Sequence, residues 1–282
     1  MLSLVEQSRL RISKNTSANW KSQLGQFLTP ATTAEFMASL FKPTTDVCRL
    51  LDPGAGIGSL SSAFLERCLT ADLKFKDIEL SAFELDDLLH NELNRTLAGY
   101  TNKLPFQFEI FGGDFIEQAV NNLQFGSTRF THTILNPPYK KINSTSRSRL
   151  LLRQAGIETV NLYSAFLALS IELMSSGGQI VAIIPRSFCN GPYYRPFREL
   201  LLKRTAIQHI HLFDSRNKTF KDDGVLQENI IISQECGGLQ GLVTVTTSSD
   251  YSFQDLSTHQ HPFERDGYKL RRIIINLAES LS

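Results

Sequence analysis

An amide, two prolines and an aromatic ring in a row, Asn136-Pro137-Pro138-Tyr139, form the stretch of this sequence best suited to chemistry. They follow Phe130-Thr131-His132-Thr133-Ile134-Leu135, which alternates and ends apolar like a buried strand. The paired prolines stop strand or helix at that point. The Asn136 side-chain oxygen and the Pro137 carbonyl are two acceptors that can aim at one NH2 group. The Tyr139 ring gives a flat base something to stack on. Adenine, cytosine or a carboxamide would suit such a site. A turn that merely ends a strand is nearly as good an explanation of the tetrapeptide alone, because Asn-Pro commonly opens turns.

Three further acidic positions stand at expected strand ends. Residues 47–51 read as a short strand running into Asp52-Pro53-Gly54-Ala55-Gly56-Ile57-Gly58, and a helix follows with Ile57, Leu60, Phe64, Leu65 and Cys68 on one side. Strand, glycine turn and helix together make a dinucleotide-type junction, where glycine lets backbone approach a ligand. The spacing is GxGxG, and the acid precedes the glycines, where a pyrophosphate would be repelled. Asp52 suits a ligand with an amino group, such as the methionine part of S-adenosylmethionine. Glu84 ends a second strand at 78–83 and is placed to accept two ribose hydroxyls. Glu84-Leu85-Asp86-Asp87 also reads as the acidic start of a helix, and both roles are compatible. Gly112-Gly113-Asp114-Phe115 follows a third strand at 106–111. Asp114 can accept from an exocyclic amine with Phe115 flanking the ring, or it can simply cap a helix over 115–122.

These residues need a frame to hold them. Thr29-Pro30, after Gly25-Gln26-Phe27-Leu28, starts a helix with Phe36, Met37, Leu40 and Phe41 on one face. Its free hydroxyl is either a cap or a group lying over a ligand. After Tyr139 the chain turns basic, with Lys140, Lys141, Arg147, Arg149 and Arg153, and no acid intervenes before Glu158. Beside the candidate site, this suggests a mobile loop lying along phosphates. A helix from Asn161 to about Ser176 is closed by Gly177-Gly178. A buried strand at 179–184, a helix near 194–203 and strands at 206–213, 225–233 and 242–247 follow. The strands at 206–213 and 225–233 are an antiparallel pair. The tail from 250 on is polar and offers no compact domain.

At 282 residues, 41% hydrophobic and 20% charged, the chain has an ordinary globular composition. A net charge of +1 excludes a global field for polyanions, so any such site is local. The four cysteines are far apart and read as buried thiols of a cytoplasmic protein. The pairs His209/His211 and His259/His261 lack further ligands at matching spacing, so no metal is expected. No membrane span or signal peptide is expected either.

Taken in order, the segments resemble the gamma class of DNA adenine-N6 methyltransferases, the BsuBI/PstI-like restriction-modification group. The resemblance rests on Gln26–Pro30, DPGAGIG at 52–58, Glu84, GDF at 113–115, NPPY at 136–139, NLYSAF and GGQIVAIIP, and covers roughly residues 20–235. It implies a Rossmann-like α/β fold, a mostly parallel seven-stranded sheet with an antiparallel last strand. A helical segment at 1–45, a catalytic domain at 46–235 and an extension at 236–282 divide the chain. It also implies that Thr29, Pro30, Asp52, Gly54, Gly56, Glu84, Asp114, Phe115 and Asn136 contact or adjoin S-adenosylmethionine. Asn136, Pro137, Pro138 and Tyr139 would handle the target adenine, Phe220 would hold its other face, and Lys140, Lys141, Arg147 and Arg149 would meet double-stranded DNA. Members usually continue into a sizeable target-recognition domain, so such a domain or a partner subunit is expected beyond this chain. Alternatives are a glutamine-N5 protein methyltransferase, an RNA methyltransferase, and an idle nucleic-acid-binding subunit.

Overall fold

The computed structural model describes residues 1–15, 28–44, 46–189, 192–213 and 229–263. Its strands are β1 (Cys48–Pro53), β2 (Ile78–Phe83), β3 (Phe106–Phe111), β4 (Phe130–Leu135), β5 (Met174–Pro185), β6 (Thr205–Phe213), β7 (Asn229–Cys236), β8 (Leu242–Ser248) and β9 (Ser257–Pro262). The helices are α1 (Leu2–Asn15), α2 (Ala31–Ser39), α3 (Ser59–Leu69), α4 (Asp87–Ala98), α5 (Phe115–Phe125), α6 (Arg147–Gln154), α7 (Leu162–Leu173) and α8 (Arg195–Arg204). Among the described residues no helix is long and apolar enough to cross a membrane.

The strands form one sheet in the order β3-β2-β1-β4-β5-β7-β6-β8-β9. The strands β1 to β5 run parallel, and β7 lies antiparallel between β5 and β6. This is the expected seven-stranded arrangement with its reversed strand. Two more strands lengthen it: β8 runs parallel to β6, and β9 runs antiparallel to β8. Within the polar tail, Ser257–Pro262 thus contributes an edge strand. Its residues are mostly exposed, so no buried face demanded apolar alternation there.

Central strands are apolar throughout because both faces are covered. On β5, Ile180, Ala182 and Ile184 join the core with α5 and α7, while Val181 and Ile183 join the core with α2 and α3. The helix expected to reach Ser176 stops at Leu173, and the chain passes directly into β5. Ser175, Ser176 and two glycines are poor helix formers, and Ser175 Oγ instead donates to the Phe130 carbonyl of β4 at 3.0 Å. Strand order reverses between β1 and β4, so a crevice opens at their carboxyl ends.

Candidate functional site

The carboxyl ends of β1 to β4 open into one cavity of about 200 Å³. Its wall holds Gly54 and Gly56 after β1, Phe83, Glu84 and Leu85 at β2, Gly113, Asp114 and Phe115 after β3, and Asn136 and Pro138 after β4. Leu28, Ser148, Leu162 and Phe166 complete it.

Gly54 (φ 85°) and Gly56 (φ 58°) take left-handed backbone, which residues with a Cβ rarely adopt. The Gly54 and Ala55 N–H groups both donate to the Phe83 carbonyl, each at 2.8 Å. Glu84 then locks the turn: its Oε2 accepts from the Gly56 N–H and its Oε1 from the Asp86 N–H, both at 2.8 Å. Asp86 caps α4 through Leu88 N–H, so the helix-start role passes to it. Asp114 performs the helix-capping role expected of it and also stands on the cavity wall. Its Oδ1 accepts from the Ile116 N–H at 2.8 Å, capping α5, and the exposed residue lines the cavity. Phe115 packs its ring edge-on to Phe83 at 5.1 Å and tilted to Phe166 at 4.9 Å, an aromatic floor.

Asp52, expected to meet an amino group, is wholly buried at the start of the glycine turn; its Oδ2 accepts from Ser61 Oγ at 2.5 Å. Burial pushes its carboxyl up to about 7; the Ser61 hydrogen bond opposes this, and the nearby Glu84 charge adds to it. Asp52 Oδ1 has no partner among the described residues.

On the acceptor side, Asn136 Nδ2 donates to Thr29 Oγ1 at 3.0 Å. Tyr139 Oη donates to Asn136 Oδ1 at 3.1 Å. Burial holds the Tyr139 phenol well above its ordinary pKa, so it remains a donor. Thr29, expected over a ligand or as a cap, is buried and not on the cavity wall; its hydroxyl serves Asn136. Pro30 is the N-cap of α2 and is likewise off the wall, and the Ala31 N–H is satisfied by Glu6 Oε2 of α1 at 3.0 Å. The segment after Tyr139 is pinned by backbone bonds, Leu162 N–H to the Lys140 carbonyl and Ile142 N–H to the Val160 carbonyl, both 2.8 Å. Gln26, Phe27 and Phe220 lie outside the described residues.

The basic run, expected as a mobile loop, is a loop at Lys140 and Lys141 and a helix from Arg147. Residues 147–154 form α6, capped by Ser146, and the acids flanking the run fold onto it. Arg147 pairs with Glu117. Arg149 and Arg153 both pair with Glu158, at 2.6 and 3.0 Å. Arg149 is only 11% exposed, so it is a structural ion pair on this face, whereas Lys140, Lys141 and Arg147 face solvent.

Wall residues not anticipated are Leu28, Phe83, Leu85, Ser148, Leu162 and Phe166. Leu85 carried a signal, a large apolar residue directly after a strand-ending acid. Ser148 carried none, since its place depends on how α6 lies over the cavity.

The Eco57I restriction-modification methylase family model matches residues 12–220. The chain is 50% identical to the type II methyltransferase M.BsuBI of Bacillus subtilis over 273 residues, 94% of this chain and 54% of that protein. It is 39% identical to the type II methyltransferase M.PstI of Providencia stuartii over 253 residues, 87% of this chain and 50% of that protein. It therefore spans about half the length of these curated relatives. A crystal structure of a putative class I S-adenosylmethionine-dependent methyltransferase from Listeria monocytogenes superposes with a TM-score of 0.66 at 14% identity, over 100% of this chain and 78% of that one. The fold is that of S-adenosylmethionine-dependent methyltransferases.

Proposed function

The chain belongs to the Eco57I restriction-modification methylase family, and from that premise we propose that it transfers a methyl group from S-adenosylmethionine to N6 of an adenine flipped out of double-stranded DNA. One observation carries the proposal: Asn136 shares a cavity wall with Glu84, Asp114 and the glycine turn. An amine-binding amide thereby stands beside a nucleoside-sized site.

The residues present fit the cofactor. Glu84 offers lone pairs to ribose hydroxyls, Asp114 to an exocyclic amine, and Phe115 and Leu85 apolar surface to a purine. The orphaned Asp52 Oδ1 is an acceptor that a methionine ammonium would satisfy. When bound, S-adenosylmethionine supplies an electrophilic methyl group on a sulfonium centre.

The lone pair of the adenine N6 is delocalised into the ring, which makes it a poor nucleophile. Asn136 Oδ1 and the Pro137 carbonyl each accept one N6 hydrogen and draw the nitrogen toward tetrahedral geometry. Positive charge growing on the nitrogen then faces two fixed carbonyl dipoles. The methylated N6 cation is strongly acidic and gives its extra proton to water, so no strong base is required. A base inside a duplex cannot reach this cavity and must be extruded, at a cost of a few kcal/mol. Stacking on the Tyr139 ring offsets about 1–3 kcal/mol of that. Lys140, Lys141 and Arg147 supply exposed positive charge beside the opening for backbone phosphates. Choice of target sequence is assigned to a recognition domain or partner subunit beyond the 46–235 catalytic portion. Support for that assignment is the length of the relatives.

The test is incubation with S-adenosylmethionine labelled in its methyl group and duplex DNA, RNA or protein, followed by nucleoside chromatography. Label in N6-methyladenine from DNA is the expected result. Label in cytosine, RNA or protein, or in none of them, overturns it.

A further inference from the structure

We propose that Thr29 is a positioning residue that fixes which end of the Asn136 amide meets the acceptor amine. The inference rests on the reading above, in which Asn136 Oδ1 accepts from that amine. The Asn terminal torsion is broad and roughly two-fold, so the amide by itself can present either end. Only the oxygen is useful. Turned the other way, its NH2 would meet the amine donor to donor.

The structure holds the amide from both ends, with Nδ2 on Thr29 Oγ1 at 3.0 Å and Oδ1 under Tyr139 Oη at 3.1 Å. Thr29 is 6% exposed and 107 positions away in sequence, so this is not an incidental surface contact. It is itself anchored on both sides. A Cβ on Gly56 would lie 3.0 Å from Leu28 Cδ2, which places Leu28 tightly on the glycine turn. On the other side, Glu6 Oε2 accepts the Ala31 N–H, and Arg9 grips both Glu6 oxygens at 2.9 and 2.7 Å. Without the Thr29 oxygen, the amide loses this acceptor, and its two-fold torsion is held less firmly in the productive orientation.

The experiment compares Thr29→Val, Thr29→Ala and Thr29→Ser in the full chain, each first checked for parental melting temperature. Steady-state methylation of duplex DNA gives kcat and KM, and calorimetry with S-adenosylmethionine gives its Kd. Heteronuclear NMR follows the Asn136 side-chain amide, identified by its loss in Asn136→Asp. Thr29→Val and Thr29→Ala are expected to lower kcat about 10- to 100-fold, with KM and cofactor Kd within about threefold of parent. Thr29→Ser restores kcat to within about threefold. The Asn136 amide resonances shift or broaden in the first two variants and return in the third. A kcat unchanged in Thr29→Val, a cofactor Kd that rises in step with the loss of kcat, or no rescue by serine overturns the inference. The amide resonances report on it even if the parent methylates no DNA, so failure of the functional reading is told apart from failure of this one.

Discussion

The two sides of the cavity are built differently. On the cofactor side, each chemical residue also performs a local backbone task. Glu84 ties down Gly56 and Asp86, and Asp114 caps α5. The longest reach among these bonds is 28 residues. On the acceptor side, Asn136 is held by Thr29 from 107 residues away, and the basic helix by Glu117 and Glu158. The first side is rigid by local geometry and the second by tertiary contacts. Substitutions should therefore separate cofactor binding from transfer.

The largest expected effect is that of Asn136→Ala, which lowers kcat at least about 100- to 1,000-fold and leaves the cofactor Kd within about twofold. Label transfer and calorimetry on one preparation check it; full activity would sink the acceptor mechanism. Glu84→Ala should do the reverse. It removes cofactor binding measurable by calorimetry and also lowers the melting temperature, because two backbone N–H groups lose their acceptor at about 1–3 kcal/mol each.

A smaller effect concerns Asp52. Its carboxyl is raised to about 7 by burial, so the folded chain holds a proton that the unfolded chain releases near the ordinary carboxylate range. The ligand-free fold therefore loses stability as pH rises from about 4 to about 7. An ammonium on Oδ1 needs the ionised form, so cofactor affinity rises over the same range, by at most about tenfold per pH unit. Titrations between about pH 5.5 and about 7 avoid the ligand's own amino group. Asp52→Asn should flatten the profile, and an unaltered slope in that variant would remove Asp52 from cofactor recognition.

The smallest effect distinguishes neighbours within the basic helix. Arg147→Glu is expected to reduce DNA affinity and lower the salt slope by about one. Arg149→Ala should leave the slope alone and reduce stability, since Glu158 keeps only Arg153 and a largely buried position is emptied. Equal salt slopes in the two variants would erase the distinction between exposed and buried arginines.

Much of the site was legible because its residues sit where strands end. A strand end is a local event, written in apolar alternation followed by glycine or proline. Glu84, Asp114, the glycine turn and Asn136 all fall at such points, and four strand ends placed side by side make a cavity. Thr29 and Asp52 were legible as residues of interest, while their orientation was not. How deeply an acid after a strand is buried, and what it bonds, depends on where α3 puts Ser61. The basic run was misjudged because Glu117 and Glu158 lie outside it in sequence and beside it in space. The polar edge strand β9 was missed because a strand with exposed residues and one neighbour has no apolar period to read.

By itself, the sequence determined the alternation of strand and helix, the glycine turn, and the four strand ends carrying acid or amide. Backbone sterics and hydrophobic period act over a few residues, and they are the same in any context. Only the tertiary structure decided that Thr29 holds the Asn136 amide, that Asp52 lies buried against Ser61, and that Arg149 belongs to an ion pair. Hydrogen bonds and charges take their direction from whatever the fold brings near them. The acceptor that holds the Asn136 amide is 107 residues away in the chain.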